Sequence, residues 1–321
     1  MKKRQLGSSD VSISPIIMGT WQAGKKNWAD IKDSDIVAAI RAAVDNGIST
    51  IDTAEIYGDG YSEQRVAEAI ADRRGEVELL TKVFANHLKY DDVLEACDRS
   101  LKNLQTDYLD LYQIHWPSGS WGYDEVPIAE TMKALNKLKE DGKIRAIGVS
   151  NFSAAQLAEA SEHGRIDTVQ PPYSLFWRAI EKDLQPYCVE HNISIISYSS
   201  LAQGFLTGKF GIDHQFAEGD HRFRNRLYAD KENYQRVQKA LDNLRPIVAA
   251  NNCTLAQLAL AWLIQQPQTS AIVGARNAEQ AIANAGTLRV KLSDADLAKI
   301  TEIGSTVTDP LDDNPMLWDW S

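Results

Sequence analysis

Four side chains at the ends of predicted strands could together protonate a carbonyl oxygen. Asp52, Lys82 and His115 each close a short apolar run, and Tyr57 follows five residues after Asp52. A nearby ammonium favours the phenolate and lowers the pKa of a tyrosine hydroxyl, and a carboxylate can pair with that ammonium. A neutral imidazole can donate a hydrogen bond to an oxygen that develops negative charge. None of these groups stores electrons, so a reduction would require a hydride carrier.

These residues form one site only if their strands end on the same side of a sheet. Eight short runs rich in Ile, Val and Leu alternate with stretches at helical spacing, at a period of roughly 30–40 residues. This alternation predicts the α/β class and a (β/α)8 TIM barrel, in which catalytic residues lie at the carboxyl ends of the strands. The predicted strands are Ile16–Met18, Thr50–Asp52, Glu78–Lys82, Leu109–His115, Ala146–Val149, Thr168–Gln170, Ser194–Tyr198 and Ala271–Val273, preceded by a hairpin of Lys2–Leu6 and Val11–Ser14.

A doubly wound open sheet is the competing architecture. It would carry a G-x-G-x-x-G fingerprint for a dinucleotide. Gly58 and Gly60 begin such a pattern, but the third glycine is missing. The sequence also has no P-loop, H-E-x-x-H or G-x-S-x-G motif. The motif evidence therefore favours the barrel.

The composition limits the classes of binding partner and the cellular compartment that we expect. The 321 residues carry 34 Lys and Arg against 44 Asp and Glu, a net charge of −10, which disfavours nucleic acid and anionic membranes as partners. Cys97, Cys188 and Cys253 are too widely spaced for a disulfide framework or a zinc site, and no metal is predicted. The N-terminus lacks an apolar signal region, and no 18-residue apolar run occurs. We expect a cytoplasmic protein with one domain over residues 1–321.

Eight segments in collinear order resemble the aldo-keto reductases. The resemblance covers nearly the whole chain, up to about Ile303. The segments are GTW (19–21), IDTAEIYGDGYSE (51–63), TKV (81–83), LDLYQIHWP (109–117), GKIRAIGVSNFS (142–153), VQPPYS (169–174), YSSLAQGFLTGK (198–209) and VGARNAEQ (273–280). The resemblance implies a barrel whose hairpin closes the base, and NADPH bound without a Rossmann fold, with NADH less expected. It implies that Tyr57 donates the proton, Lys82 lowers the pKa of Tyr57, Asp52 holds Lys82 and His115 orients the carbonyl.

The same resemblance assigns cofactor contacts. By motif these are Ser150, Asn151 and Gln170 for the nicotinamide carboxamide; Tyr198 for stacking on the ring; Ser199, Leu201, Gln203 and Gly204 along the pyrophosphate; Gly274, Arg276, Gln280 and Asn284 at the adenosine; and Gly19, Thr20, Trp21 and Asp52 elsewhere along the cofactor. Arg276 near a helix start suits a 2′-phosphate, because both a guanidinium and a helix N-terminus attract anions. We therefore expect NADPH to be preferred.

Long loops are predicted to form the mouth of the site. Segments 115–126 and 204–230 follow predicted strands, and segment 305–321 trails the last predicted helix as a tail near the mouth. The predicted substrate pocket consists of Trp21, Tyr57, His115 and Trp116, and Trp318 or Trp320 is the predicted lid. An aromatic mouth favours apolar or planar carbonyl compounds.

Three functions are weighed. The favoured one is NADPH-dependent reduction of small aldehydes and ketones to alcohols. The second is a slowly turning over, NADPH-binding regulatory subunit, because potassium-channel β subunits resemble this chain around VGARNAEQ. The third is a hydrolytic or isomerising barrel that uses Asp52 and His115, which the absence of metal-ligand clusters and the full cofactor pattern disfavour. The sequence does not predict the oligomeric state.

Overall fold

Eight parallel strands close into a barrel in the computed structural model, which describes residues 3–25, 31–217 and 220–318. The strand order around the barrel is β10-β3-β4-β5-β6-β7-β8-β9. The strands are β3 Ile16–Gly19, β4 Thr50–Asp52, β5 Glu78–Val83, β6 Leu109–Ile114, β7 Ile144–Ser150, β8 Thr168–Gln170, β9 Ser194–Ser197 and β10 Thr269–Gly274. The predicted fold class and the predicted strands are confirmed, with ends that differ by one or two residues; His115 and Tyr198 directly follow β6 and β9.

The N-terminal hairpin covers the base of the barrel. Strands β1 Arg4–Gln5 and β2 Ser12–Ile13 pair antiparallel, with Arg4 opposite Ile13. Leu6, Val11 and Ile13 are buried in one cluster with residues of the barrel strands, including Leu80 and Leu111. The backbone N–H of Gly7 donates to Oγ of Ser194, the first residue of β9, at 2.7 Å. The hairpin therefore packs at the amino ends of the strands, as expected, and leaves the carboxyl ends open.

Helices surround the barrel. In the described part of the chain they are α1 Asp33–Asp45, α2 Tyr61–Ile70, α3 Tyr90–Leu104, α4 Ile128–Glu140, α5 Ala154–Glu162, α6 Leu184–Glu190, α7 Arg226–Ala229, α8 Lys231–Ala250, α9 Leu255–Leu263, α10 Ala278–Gly286 and α11 Asp294–Thr308. Among these helices, no single one is long and apolar enough to cross a bilayer; α8 and α9 reach that length only together, and they meet at 89°.

The tail begins later than predicted. Residues 305–308, which the sequence analysis placed in the tail, form the last turn of α11. Val307 is fully buried and continues the apolar face of Ile300 and Ile303, so burial of this side chain favours one more helical turn. Trp320, one of the two predicted lid residues, lies outside the described residues.

The loop between β9 and α8 is packed around aromatic side chains. Phe205 stacks on Tyr228 at 6.0 Å between ring centroids and lies 5.6 Å from Phe210. The hydroxyl of Tyr234, on α8, donates to the carbonyl of Gly211 at 2.9 Å. These contacts give a segment without regular strands a fixed position beside the carboxyl ends of the barrel.

Candidate active site

A buried ion pair lies at the centre of the barrel mouth. Lys82, near the end of β5, is fully buried, and Asp52, at the end of β4, is 2 % exposed. Lys82 Nζ donates to Asp52 Oδ1 and to the carbonyl of Thr53, both at 2.7 Å. Neighbouring parallel strands place these two residues side by side because both strands end at the same rim.

Tyr57 and His115 lie beside this pair. Lys82 Nζ is 5.2 Å from the centroid of the Tyr57 ring. The rings of Tyr57 and His115 meet edge to face, with centroids 5.7 Å apart and an angle of 79°. The ring of Phe84 also meets the His115 ring edge to face, with centroids 5.5 Å apart. The structure therefore brings together the four residues that the sequence analysis placed at successive strand ends.

A close approach of two loops fixes the backbone of Tyr57. A Cβ atom on Gly24 would lie 2.6 Å from the carbonyl carbon of Tyr57, so only glycine fits at this point. Gly58 has a φ of +67°, a left-handed conformation that glycine adopts without strain. The loop is also joined to β5, because the backbone N–H of Thr53 donates to the carbonyl of Leu80 at 2.9 Å. These constraints keep the half-buried Tyr57 ring at the mouth.

The pKa of Tyr57 moves in the direction opposite to the one expected from its ammonium neighbour. Burial raises the pKa of Tyr57 well above its usual range, and the charges of Asp52 and Tyr198 add to the increase. Desolvation of the phenolate therefore sets the net direction of this pKa, and the expected lowering by Lys82 stays a prediction. The hydroxyl of Tyr57 accordingly keeps its proton at neutral pH.

Burial also sets the charge of the imidazole. Burial lowers the pKa of His115 well below its usual range, and the positive charge of Lys82 lowers it further. His115 is therefore neutral at neutral pH, as the sequence analysis expected. Its Nδ1 atom is buried and has no hydrogen-bond partner among the described residues. Burial lowers the pKa of Lys82 as well, and the charge and hydrogen bond of Asp52 oppose that change.

The residues assigned to the nicotinamide carboxamide form one network beside the four. The hydroxyl of Ser150 donates to the carbonyl of Gln170 at 2.8 Å. Asn151 Nδ2 donates to the carbonyl of His115 at 3.0 Å, and Asn151 Oδ1 accepts from the hydroxyl of Tyr198 at 2.7 Å. The set supplies amide and hydroxyl groups that match a carboxamide in hydrogen-bonding chemistry.

The tail contacts the residue assigned to ring stacking. The rings of Tyr198 and Trp318 have centroids 5.8 Å apart and an angle of 47°. Trp318 forms a backbone bridge with Asn225, and Asn225 Nδ2 donates to Gln203 Oε1 at 3.1 Å. The tail is thereby joined to the loop that the sequence analysis assigned to the pyrophosphate. Along that loop Ser199, Gln203 and Gly204 have positive φ angles, and Leu201 is half-buried.

The residues assigned to the adenosine lie around the start of α10. The backbone N–H of Arg276 donates to Gln280 Oε1 at 2.9 Å, and Asn284 Nδ2 donates to the carbonyl of Gly274 at 3.2 Å. Asn277 caps the helix by accepting from the backbone N–H of Gln280 at 3.0 Å. These contacts order the turn that carries Arg276 at a helix N-terminus.

Two further cations near Arg276 were missed by the sequence analysis. Lys209 and Arg222 belong to the loop between β9 and α8, and both lie over the ring of Phe210, at 4.7 and 5.2 Å. The charge of Arg222 contributes to the lowering of the pKa of Arg276, although burial of Arg276 is the larger cause. Both residues lie in segment 204–230, which was assigned to the mouth, and Lys209 also ends the segment 198–209 that resembles the family. An irregular loop has no periodicity that would single out either residue.

The predicted residues Gly19, Thr20 and Trp21 lie at the end of β3 and in the turn that follows it. Thr20 Oγ1 donates to the carbonyl of Asp52 at 2.9 Å. A Cβ atom on Gly19 would lie 2.6 Å from Ile272 Cγ2, so Gly19 allows β3 and β10 to pack closely. Trp21 begins the short turn Trp21–Gly24. The predicted pocket residue Trp116 packs edge to face on Trp121 at 5.2 Å.

An eight-stranded parallel barrel with titratable groups at its carboxyl rim is the architecture of a barrel enzyme. The comparisons with known proteins define the family: the chain belongs to the aldo/keto reductase family, whose model matches residues 15–305. It is accordingly an oxidoreductase of that family, which sets aside the hydrolytic or isomerising alternative.

Three similar proteins illustrate the activities and cofactors that are named within the family. An NADH-specific methylglyoxal reductase of Escherichia coli K12 is 35% identical, over 96% of this chain and 99% of its own. The structure of a glycerol dehydrogenase from Gluconobacter oxydans has a TM-score of 0.87 and 32% identity, covering 98% of both chains. The structure of an aldo-keto reductase from Klebsiella pneumoniae in complex with NADPH has a TM-score of 0.76 and 32% identity, covering 100% of both chains.

Proposed function

We propose that this protein reduces small aldehydes and ketones to alcohols with NADPH, and that Tyr57 donates the proton. The observation that carries the proposal is the buried pair of Lys82 and Asp52 beside the Tyr57 ring, with the neutral His115 edge to face against that ring. Such a set can protonate an oxygen that develops negative charge while the ammonium stabilises the phenolate left behind.

The residues at the mouth fit a nicotinamide cofactor. Ser150, Asn151 and Gln170 would hold the carboxamide, and the Tyr198 ring would stack on the nicotinamide. The unpartnered Nδ1 of the buried His115 indicates that the site has hydrogen-bonding capacity left for a bound molecule. When bound, the cofactor supplies a hydride from its nicotinamide ring, and the protein supplies position and the proton.

Each of the four residues has a separate task in this proposal. Tyr57 stays protonated because burial raises its pKa, so a proton is available for the carbonyl oxygen. Lys82 stabilises the phenolate after that proton has left, and Asp52 keeps Lys82 charged although burial lowers its pKa. His115 is neutral and can donate a second hydrogen bond to the same oxygen.

Cofactor choice follows from the charges at the adenosine end. Lys209, Arg222 and Arg276 form a positive cluster that suits the 2′-phosphate of NADPH. One similar protein is described with NADPH and another as NADH-specific, so both cofactors occur among relatives at comparable identity. We therefore propose NADPH as the preferred cofactor and NADH as a weaker alternative.

The test is steady-state reduction of a panel of aldehydes and ketones, followed by the absorbance of NADPH and separately of NADH. Tyr57→Phe should lower kcat by about 10²–10⁴-fold, the usual contribution of a positioned proton donor, and leave NADPH binding unchanged. Tyr90→Phe, at the start of α3, removes a hydroxyl away from the site and should keep the wild-type rate. A Tyr57→Phe variant with wild-type turnover would refute the assignment.

The regulatory alternative predicts a different result for the unmodified protein. A regulatory subunit would retain NADPH tightly and complete no more than one slow turnover with every carbonyl compound in the panel. Multiple turnovers with a common aldehyde would exclude that alternative.

A further inference from the structure

We propose that Asp220 sets the balance between NADPH and NADH, because its carboxylate competes with the 2′-phosphate for the cations at the adenosine end. This inference rests on the proposed function and concerns the same site. It assigns a specificity-determining role to a residue in the loop between β9 and α8, outside the segments that resemble the family.

Asp220 holds the guanidinium of Arg222. Arg222 Nε donates to Asp220 Oδ1 at 2.8 Å and to Oδ2 at 3.1 Å, and the terminal nitrogen of Arg222 also contacts Oδ2. The backbone N–H of Arg222 donates to Oδ1 at 3.0 Å. The two side chains are only 21 % and 13 % exposed, so this pair is partly shielded from water. A phosphate that binds Arg222 must therefore share or replace the bonds to Asp220.

The cations are held in place by aromatic rings. Arg222 lies over Phe216 at 4.7 Å in addition to Phe210, and Lys209 lies over the same Phe210 ring. A Cβ atom on Gly204, a residue assigned to the pyrophosphate, would lie 3.8 Å from Lys209 Cε. The cluster is thus adjacent to the path expected for the cofactor.

Asp220 acts on all three cations. Burial lowers the pKa of Lys209 most, the charges of Arg222 and Arg276 lower it further, and the charge of Asp220 opposes these changes. The pKa of Arg276 is lowered by burial and then by Arg222, and again Asp220 opposes the change. Asp220 is therefore a counter-charge to these cations among the described residues.

NADPH and NADH interact differently with the Asp220 carboxylate. The 2′-phosphate of NADPH carries a negative charge and is repelled by Asp220, although the cations attract it. The ribose 2′-hydroxyl of NADH is neutral and can donate a hydrogen bond to a carboxylate. Asp220 thus weakens NADPH binding and supports NADH binding. The preference for NADPH over NADH is therefore smaller than three cations alone would give.

The experiment compares the dissociation constants of NADPH and NADH, measured by fluorescence titration at low salt. In Asp220→Asn the ratio of the NADH constant to the NADPH constant should rise about 5- to 10-fold, the order expected for one partly shielded charge. Asp213→Asn removes an equal charge from an exposed position of the same loop and should leave the ratio within about 2-fold. Asp220→Ser keeps a side-chain acceptor at the start of the turn and should repeat the result if the amide disturbs folding.

The outcomes separate this inference from the proposed function. If the ratio of the NADH constant to the NADPH constant is unchanged in both Asp220 variants, the inference is wrong. A lower ratio would also overturn the inference, because it would show that Asp220 only positions Arg222 for the phosphate. Failure of the unmodified protein to bind either cofactor would instead refute the proposed function. A rise in the ratio that shrinks at high salt supports the electrostatic origin.

Discussion

Gln170 Nε2 donates a hydrogen bond to Asp52 Oδ2 at 3.0 Å, across the barrel mouth from β8 to β4. Asp52 thus has Lys82 on one carboxylate oxygen and Gln170 on the other. The sequence analysis assigned Gln170 to the nicotinamide carboxamide. The structure adds a second task, because Gln170 also fixes the orientation of the carboxylate that holds Lys82.

Replacement of Gln170 by leucine should therefore affect the chemical step as well as cofactor binding. The hydrogen bond to a charged group is worth about 1.5–3 kcal/mol, and its loss leaves Asp52 less well oriented. We expect kcat with a good aldehyde to fall at least about 10-fold, with a weaker effect on the dissociation constant of NADPH. Single-turnover rates and fluorescence titration separate the two. A change confined to cofactor affinity would contradict the second task.

The ion pair of Lys82 and Asp52 predicts a non-additive effect on stability. Asp52→Ala leaves a fully buried ammonium without its carboxylate, which typically costs about 3–5 kcal/mol in free energy of unfolding. The double variant Asp52→Ala/Lys82→Met removes the unpaired charge and should recover most of that loss. Urea denaturation of both variants measures the difference. Equal stability of the single and double variants would show that Lys82 finds another counter-charge.

His115 predicts a dependence of stability on pH. Its pKa is lowered in the folded protein, so the unfolded chain, whose histidine has a pKa near 6.5, binds more protons between the two values. Stability should therefore decrease as the pH falls below about 6.5, by up to about 1.4 kcal/mol per pH unit from this residue. His115→Gln should reduce that slope between pH 7 and pH 5 in denaturation experiments.

The matched control for this slope is His163→Gln, a replacement on the protein surface. It should keep the wild-type dependence on pH. If His115→Gln also keeps the full slope, the imidazole is not the group that the folded protein holds neutral.

The contact of Trp318 with Tyr198 predicts an effect of the tail on the cofactor. Aromatic contacts of this kind contribute about 0.5–1.5 kcal/mol, so Trp318→Ala should weaken NADPH binding by about 3- to 10-fold. Trp121→Ala removes an indole that packs on Trp116 in another loop and serves as the control. Equal NADPH affinity in the Trp318 and Trp121 variants would show that the tail packs on Tyr198 without supporting cofactor binding.

The sequence predicted the site residues that lie at the ends of regularly repeating strands. Asp52, Lys82 and His115 could be assigned to one rim because each ends or follows a strand of a repeating β/α unit. The irregular segments were less predictable: the last turn of α11 was assigned to the tail, and Lys209 and Arg222 were not recognised. The position of this loop depends on contacts such as those of Phe210 with Phe216 in the same loop and with Tyr234 on α8, and no local pattern encodes those contacts.

The sequence by itself determined the barrel, the family resemblance and the identity of Asp52, Tyr57, Lys82 and His115. The reason is that the alternation of strands with helices and the order of the motifs are properties of the chain alone. Only the tertiary structure decided the protonation of Tyr57, the second partner of Asp52 and the charge cluster around Asp220. The physical reason is that pKa shifts and ion pairs depend on desolvation and on distances across the barrel. Those distances are set when strands far apart in sequence close into one rim.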